Sequence, residues 1–172
     1  MRIAVFVADG SEEIEAITPI DLLRRAGANV DVLSVNGEFI TGSHGVVIKA
    51  DKLAQKANIT DYDGVVIPGG MPGAVNIANN NYAIELIKAM LKKGNLVSAI
   101  CASPAVVLAN KGLLGDKKAT CYPATDFIEL IGKRYTGVNV EVDGNVITAN
   151  GPKSALEFSV AICKYLKIDC GF

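Results

Sequence analysis

The chain is predicted to be an α/β protein built on a mostly parallel, doubly wound sheet. Short β-branched runs alternate with longer helical patterns along its whole length, the signature of a sheet covered by helices on both faces. The length of 172 residues, half of them hydrophobic and 20% charged, suits a soluble chain with a sizeable core. No internal repeat, low-complexity tract or linker divides it, so residues 1–172 read as a single domain.

The elements follow in order. Met1 to Ala8 is apolar but too short to span a bilayer and lacks the small-residue cleavage site of a secretory signal, so Ile3–Ala8 reads as the first strand. A helix over Glu12–Ala26 follows, with Ser11 as its expected N-cap and Glu12 and Glu13 in the first turn, where negative charge meets the positive end of the dipole. Further strands are expected at Val30–Val35, Val46–Lys49, Gly64–Ile67, Leu96–Ile100, Lys118–Thr120 and Val146–Ala149. Val138–Val142 alternates and, with Asp143-Gly144 before Val146, signals a hairpin. Helices are expected at Ala83–Lys93, Pro104–Asn110, Thr125–Leu130 and Ser154–Leu166.

In sheets of this kind ligands sit beyond the carboxyl ends of the strands. Three post-strand loops therefore matter: Asp9 to Glu15, Pro68 to Gly73 and Cys101 to Pro104. Parallel strands would bring all three to one edge.

Cys101 has two readings. Free cysteine is among the most buried residue types and is usually inert. At the end of a strand and the start of a helix, however, the Ala102 and Ser103 N–H groups point outward, and a helix N-terminus lowers a thiol pKa. That is the geometry of a nucleophile elbow. Glu15 also has two readings. It lies between Ile14 and Ala16-Ile17, and Pro19 has no N–H to offer the Glu15 carbonyl. It is either a surface acid or a carboxyl in apolar surroundings with a raised pKa.

Gly69-Gly70 lacks phosphate-binding spacing, and no helix is expected directly behind it. Adjacent glycines permit close backbone approach, and exposed N–H groups there would make an oxyanion hole beside a nucleophile. His44 is the sole imidazole and would have to serve any Cys–His pair, though it reads as structural or exposed. Cys163 and Cys121 read as packing residues and Cys170 as part of a frayed terminus. Four cysteines without CxxC spacing and one histidine favour neither zinc nor a disulfide framework, so a cytoplasmic protein with reduced thiols is expected. A net charge of -1 without a basic run offers no footprint for nucleic acid or an anionic membrane.

The stretches GSEEIEAITPIDLLRRAGANV, DGVVIPGGMPGA, AICASPAVVLANKGLL and GPKSALEFSVAI together resemble the DJ-1/PfpI (ThiJ) superfamily, in particular its DJ-1 branch. The resemblance runs nearly end to end. It implies a flavodoxin-like three-layer sandwich with a nucleophile-elbow cysteine, as in class I glutamine amidotransferases, and a homodimer. It matches Cys101 to an oxidation-sensitive cysteine, Glu15 to the protonated glutamate that hydrogen-bonds it, and Gly70 and Ala102 to backbone donors beside the sulfur, with Gly69 adjoining. Asp21, Arg25 and His44 fall at the family's dimer contact and pocket wall.

There are two departures. In KATCYPATDFIEL the family's pocket histidine is matched by Tyr122, a poor base near neutral pH. The chain also stops at Phe172, where the family's animal members are expected to continue into a further helix. The resemblance implies action on 2-oxoaldehydes or glycated protein side chains, of the glyoxalase III or deglycase type, with Cys101 as thiolate, Glu15 as proton shuttle and no cofactor or metal. Its alternatives are an oxidative-stress sensor or redox-regulated chaperone acting through a Cys101 sulfinate, and a PfpI-type cysteine protease, which would need His44 as its base.

Overall fold

The computed structural model describes residues 1–172. β1 (Arg2–Val7) leads through α1 (Glu13–Arg25) to β2 (Asn29–Ser34), then to a hairpin of β3 (Phe39–Thr41) and β4 (Val47–Lys49) and the short β5 (Lys52–Leu53). β6 (Gly64–Ile67), α2 (Gly73–Ala78), α3 (Asn81–Lys93) and β7 (Leu96–Ile100) follow. A π-helix over Pro104–Ala109, α4 (Thr125–Ile131), β8 (Val140–Asp143), β9 (Val146–Ala149) and α5 (Ala155–Leu166) complete the chain.

Seven strands form one sheet in the order β5-β2-β1-β6-β7-β9-β8. Every pairing is parallel except that of β8 with β9, the predicted hairpin. The chain runs outward from β1 to β2, then returns to place β6 on the other side of β1. The connections leaving β1 and β6 therefore lead to helices on opposite faces of the sheet, while the loops themselves meet at its carboxyl edge, where Glu12 N–H donates to Gly69 O.

The strand period of two distributes side chains to two cores. Ala4 and Phe6 of β1, Val65 and Ile67 of β6 and Val97 and Ala99 of β7 pack toward α2, α3 and the π-helix. Ile3, Val5, Val7, Val66 and Ile100 face α1 and α5 with Leu23, Phe158 and Ile162. This is the three-layer sandwich expected. No helix is long and apolar enough to cross a membrane.

Several elements differ from expectation. Lys118–Thr120 is not a strand of the sheet: Ala119 forms an isolated bridge to Tyr135 and Thr120 N–H donates to the Thr148 hydroxyl, while β7 pairs directly with β9. The strand expected at Val46–Lys49 lies outside the main sheet, paired as β4 with β3 in a two-stranded hairpin. Ser11 does not cap α1; its hydroxyl accepts from Ala8 N–H at 3.0 Å and so closes the turn after β1, while Glu12 takes the cap position. α2 begins at Gly73, directly behind the glycine loop, where no helix was expected. The helix after Cys101 is wound with five-residue spacing, as in the 2.9 Å bond from Asn110 N–H to Ala105 O. Cys170 is buried against the α5 core rather than frayed.

Phe158 is fully buried between α5 and the sheet. Phe158→Ala should lower unfolding free energy by about 3–5 kcal/mol through lost burial and a cavity, read from the urea midpoint at an unchanged slope.

Candidate functional site

Cys101 closes β7 with φ 65, in the left-handed region that costs a residue with a Cβ about 1–2 kcal/mol. Two backbone bonds hold it there. Its N–H donates to the Ala149 carbonyl at the end of β9 (2.9 Å), and its carbonyl accepts from Tyr122 N–H (2.8 Å). Ser103 Oγ donates to the Pro68 carbonyl at 2.5 Å, which ties the elbow to the glycine loop after β6.

Gly69 then passes so close that no side chain fits: a Cβ there would lie 2.5 Å from Cys101 Cβ and 2.7 Å from Glu15 Oε2. Gly70, at φ 82, likewise leaves no room for a Cβ, which would run into Glu12 N and Gly10 O of the first loop. Glu12 N–H in turn donates to Gly69 O (3.1 Å). The three post-strand loops do converge, as the parallel pattern required.

Glu15 points inward. It is completely buried, whereas its neighbours Ile14 and Ile17 are 54% and 41% exposed. The helical period explains this, because Pro19, Leu22 and Leu23 lie four, seven and eight residues on and are all buried. Glu15 Oε2 accepts Gly69 N–H at 2.8 Å, and Oε1 is buried without a donor. The Cys101 thiol is its polar neighbour.

Burial pushes the Glu15 carboxyl up to about 7, against the opposing hydrogen bonds from Gly69 and the thiol. Burial also pushes the Cys101 thiol up, and the Glu15 carboxylate beside it adds to the rise. The Gly70 and Ala102 N–H groups pull it down but are outweighed, leaving it at about 12. The expectation of a thiol lowered by the helix end alone is therefore corrected. The two acids act as a pair that shares one proton over the range between these values. The carboxyl gives up its proton first and the sulfur keeps its own, so a thiolate exists in the neutral range only where the thiol proton passes to Glu15, with the Gly70 and Ala102 amides then facing the sulfur charge.

The remaining predicted residues lie apart. His44 is on the turn before β4, 73% exposed, and bonds to Glu13 Oε2 through Nδ1 at 3.1 Å rather than to Cys101. Burial alone would push Glu13 up, but N–H groups of His44 and Val46 and the imidazole hold it down at about 2, and the same contact raises His44. Glu12, Glu13 and His44 present ligand-type atoms within 4.8 Å of one another, but the glutamate oxygens are already occupied by Ser43, His44 and Val46. Asp21 and Arg25 pair with each other at 2.7 Å on the exposed face of α1. Tyr122 is 46% exposed beside the elbow and lines a cleft of about 440 Å³ with Pro123, Asn150, Gly151, Pro152 and Lys153.

Sequence reasoning missed Ser103, Ala149 and Glu13 as structural partners of the site. For Glu13 a signal existed, since three acids at a strand exit exceed what one helix end needs.

The profile of the DJ-1/PfpI family matches residues 1–165. The chain belongs to the DJ-1/PfpI family. It is 35% identical to the Parkinson disease protein 7 homolog of Danio rerio over 96% of this chain and 89% of that one. It is 31% identical to a deglycase of Pyrococcus abyssi over 97% of this chain and the whole of that one. It is also 38% identical to DJ-1 homolog B of Arabidopsis thaliana, but spans only 38% of that protein's length. The solved structure of oxidized Toxoplasma gondii DJ-1 superposes with a TM-score of 0.92 at 42% identity, covering 96% of this chain and 90% of that one. This family fold accounts for the mostly parallel seven-stranded sheet.

The sign of the Glu15 contribution to stability follows from its shift. At acid pH the carboxyl is neutral in both states and costs nothing. Above about 7 the folded chain must hold a buried charge that the unfolded chain, with an ordinary value of 4.5, carries in water. Wild type should therefore lose about 3 kcal/mol relative to Glu15→Gln as pH rises from 4.5 past 7. Urea unfolding of both proteins at pH 4.5, 6 and 8 measures this, and a difference that stays constant with pH contradicts it.

Proposed function

We propose that the protein is a cofactor-independent enzyme acting on 2-oxoaldehydes, or on the adducts they form with protein side chains, through Cys101 and Glu15. The observation that carries this reading is the buried Glu15 carboxyl, pushed up to about 7 and set against the elbow sulfur. An acid poised there both takes and gives a proton near neutral pH. The name of the Pyrococcus abyssi relative, a deglycase, agrees in kind.

Glu15 takes the Cys101 proton, the sulfur adds to the aldehyde carbon as the C=O π pair moves onto oxygen, and Glu15 hands the proton to that oxygen to give a hemithioacetal. Glu15 removes the hydrogen from that carbon as a proton and returns one to the neighbouring ketone carbon. Electrons move from the first carbon to the second while the hemithioacetal hydroxyl proton passes to the former ketone oxygen, which leaves a thioester beside a hydroxyl-bearing carbon. Water then cleaves the C–S bond and releases a 2-hydroxy acid and the thiol. The Gly70 and Ala102 amides, already turned toward the sulfur, steady the oxyanions along the way.

A second reading rests on the same orphan oxygen. Oxidation of Cys101 by two oxygen atoms from peroxide gives a sulfinate, to which protonated Glu15 would donate from Oε1, so that the site records oxidative stress, as a sensor or redox-regulated chaperone would. Peptide hydrolysis is disfavoured because the sole imidazole is engaged by Glu13 and not by Cys101. A second copy of the chain is the proposed partner, and the exposed apolar side chains of α1, Ile14 and Ile17, suit such a contact.

Turnover of methylglyoxal to lactate should fall at least about a hundredfold in Cys101→Ser and in Glu15→Gln; equal rates in all three proteins would sink the mechanism. Intact mass after mild peroxide separates the sensor reading. Addition of two oxygens confined to Cys101 favours it, whereas oxidation spread across Cys121, Cys163 and Cys170 opposes it.

A further inference from the structure

The cleft beside the elbow contains a group that the mechanism above does not use. Its walls are attached to Cys101 from both sides. Tyr122 N–H bonds the Cys101 carbonyl, and Ala149, which accepts the Cys101 N–H, leads directly into Asn150, Gly151, Pro152 and Lys153. The volume of about 440 Å³ lies within the range of small-molecule sites, and a three-carbon aldehyde would leave most of it vacant.

Its polar side chains are unequally committed. Asn150 is spoken for, accepting from Ser154 Oγ (2.7 Å) and donating to Asn139 (3.1 Å). Lys153 has no carboxylate within ion-pair distance, and no acidic residue lines the cleft. Arg25, by contrast, pairs with Asp21, and His44 with Glu12 and Glu13. The cleft is therefore lined by one cationic side chain and no acidic one, together with two prolines and a tyrosine ring.

We propose that Lys153 is a specificity-determining residue that receives a carboxylate on the substrate, so that the site prefers carboxylate-bearing aldehydes to neutral ones. A lysine at the rim selects by charge and does not demand a fixed bidentate geometry, which suits a carboxylate carried on a flexible chain. In its substrate class this rests on the 2-oxoaldehyde reading; the charge preference of the cleft does not.

The test uses two alkylating reagents of nearly equal shape, iodoacetate and iodoacetamide. In each the Cys101 sulfur forms a bond to carbon as iodide leaves with the C–I electron pair, and only the charge differs. Rates at Cys101 are read by peptide mass, which separates it from the other three cysteines. Lys153→Met should lower the iodoacetate-to-iodoacetamide rate ratio about fivefold, as loss of one partly solvated charge contact predicts. Lys153→Arg should retain the ratio, and 0.5 M salt should shrink the difference.

Lys164→Met, at the far end of α5 from the cleft, is the control. An unchanged ratio in Lys153→Met, or an equal fall in Lys164→Met, overturns the proposal. A second arm compares 4,5-dioxopentanoate with methylglyoxal: Lys153→Met should raise KM for the first about fivefold more than for the second, and equal changes count against it. Should methylglyoxal turnover prove independent of Cys101, the catalytic reading falls, while the alkylation ratio still decides the role of Lys153.

Discussion

The left-handed backbone of Cys101 is the constraint around which the site is arranged. A φ of 65 is unfavourable for a residue with a Cβ and persists only where neighbours determine it. Here β9 supplies the acceptor for its N–H and the segment at Tyr122 the donor for its carbonyl, so the elbow is clamped across the sheet. The strained turn brings the sulfur over the glycine loop, and Ser103 fastens the two loops together. Gly69 is then forced to be glycine, because Cys101 on one side and Glu15 on the other leave no room for a Cβ.

From that arrangement follows the electrostatic character of the pair. Glu15 is buried because α1 must turn Leu22 and Leu23 into the core, and the helical period carries Glu15 in with them. In its first two turns the helix gives outward positions to Ile14 and Ile17 and an inward one to an acid, whereas Asp21, Arg24 and Arg25 face outward further on. The cost of burying that acid falls on its charged form, so the carboxyl holds its proton into the neutral range. The sulfur and the carboxyl, both packed against Gly69, cannot both be charged without opposing one another, and this mutual exclusion, rather than a helix dipole alone, governs when a thiolate exists.

Much of the frame was legible from local pattern. β-branched runs separated by helical stretches identify a parallel sheet, and the loops following β1, β6 and β7 are then necessarily on one edge. Cys101 was visible as an elbow because a strand ended and Pro104 began a helix within three residues. Val46–Lys49 illustrates what was not legible. Its composition suits a strand, but nothing within four residues says which strand will pair with it, and it joined the β3 hairpin instead of the main sheet. Ser11 similarly had two possible partners, a helix N–H or the turn behind it, and the turn took it.

The sequence by itself determined the layer architecture, the edge at which the three post-strand loops meet and the position of the elbow cysteine between strand and helix, because each depends on residue spacing along a few turns or strands. Tertiary structure decided the burial of Glu15 against Gly69, 54 residues away, the engagement of His44 by Glu13 and the association of Lys153 with the cleft beside Cys101. Those depend on distances between separate elements. Periodicity states which face a residue is on, but only the packed sheet states what lies across from it.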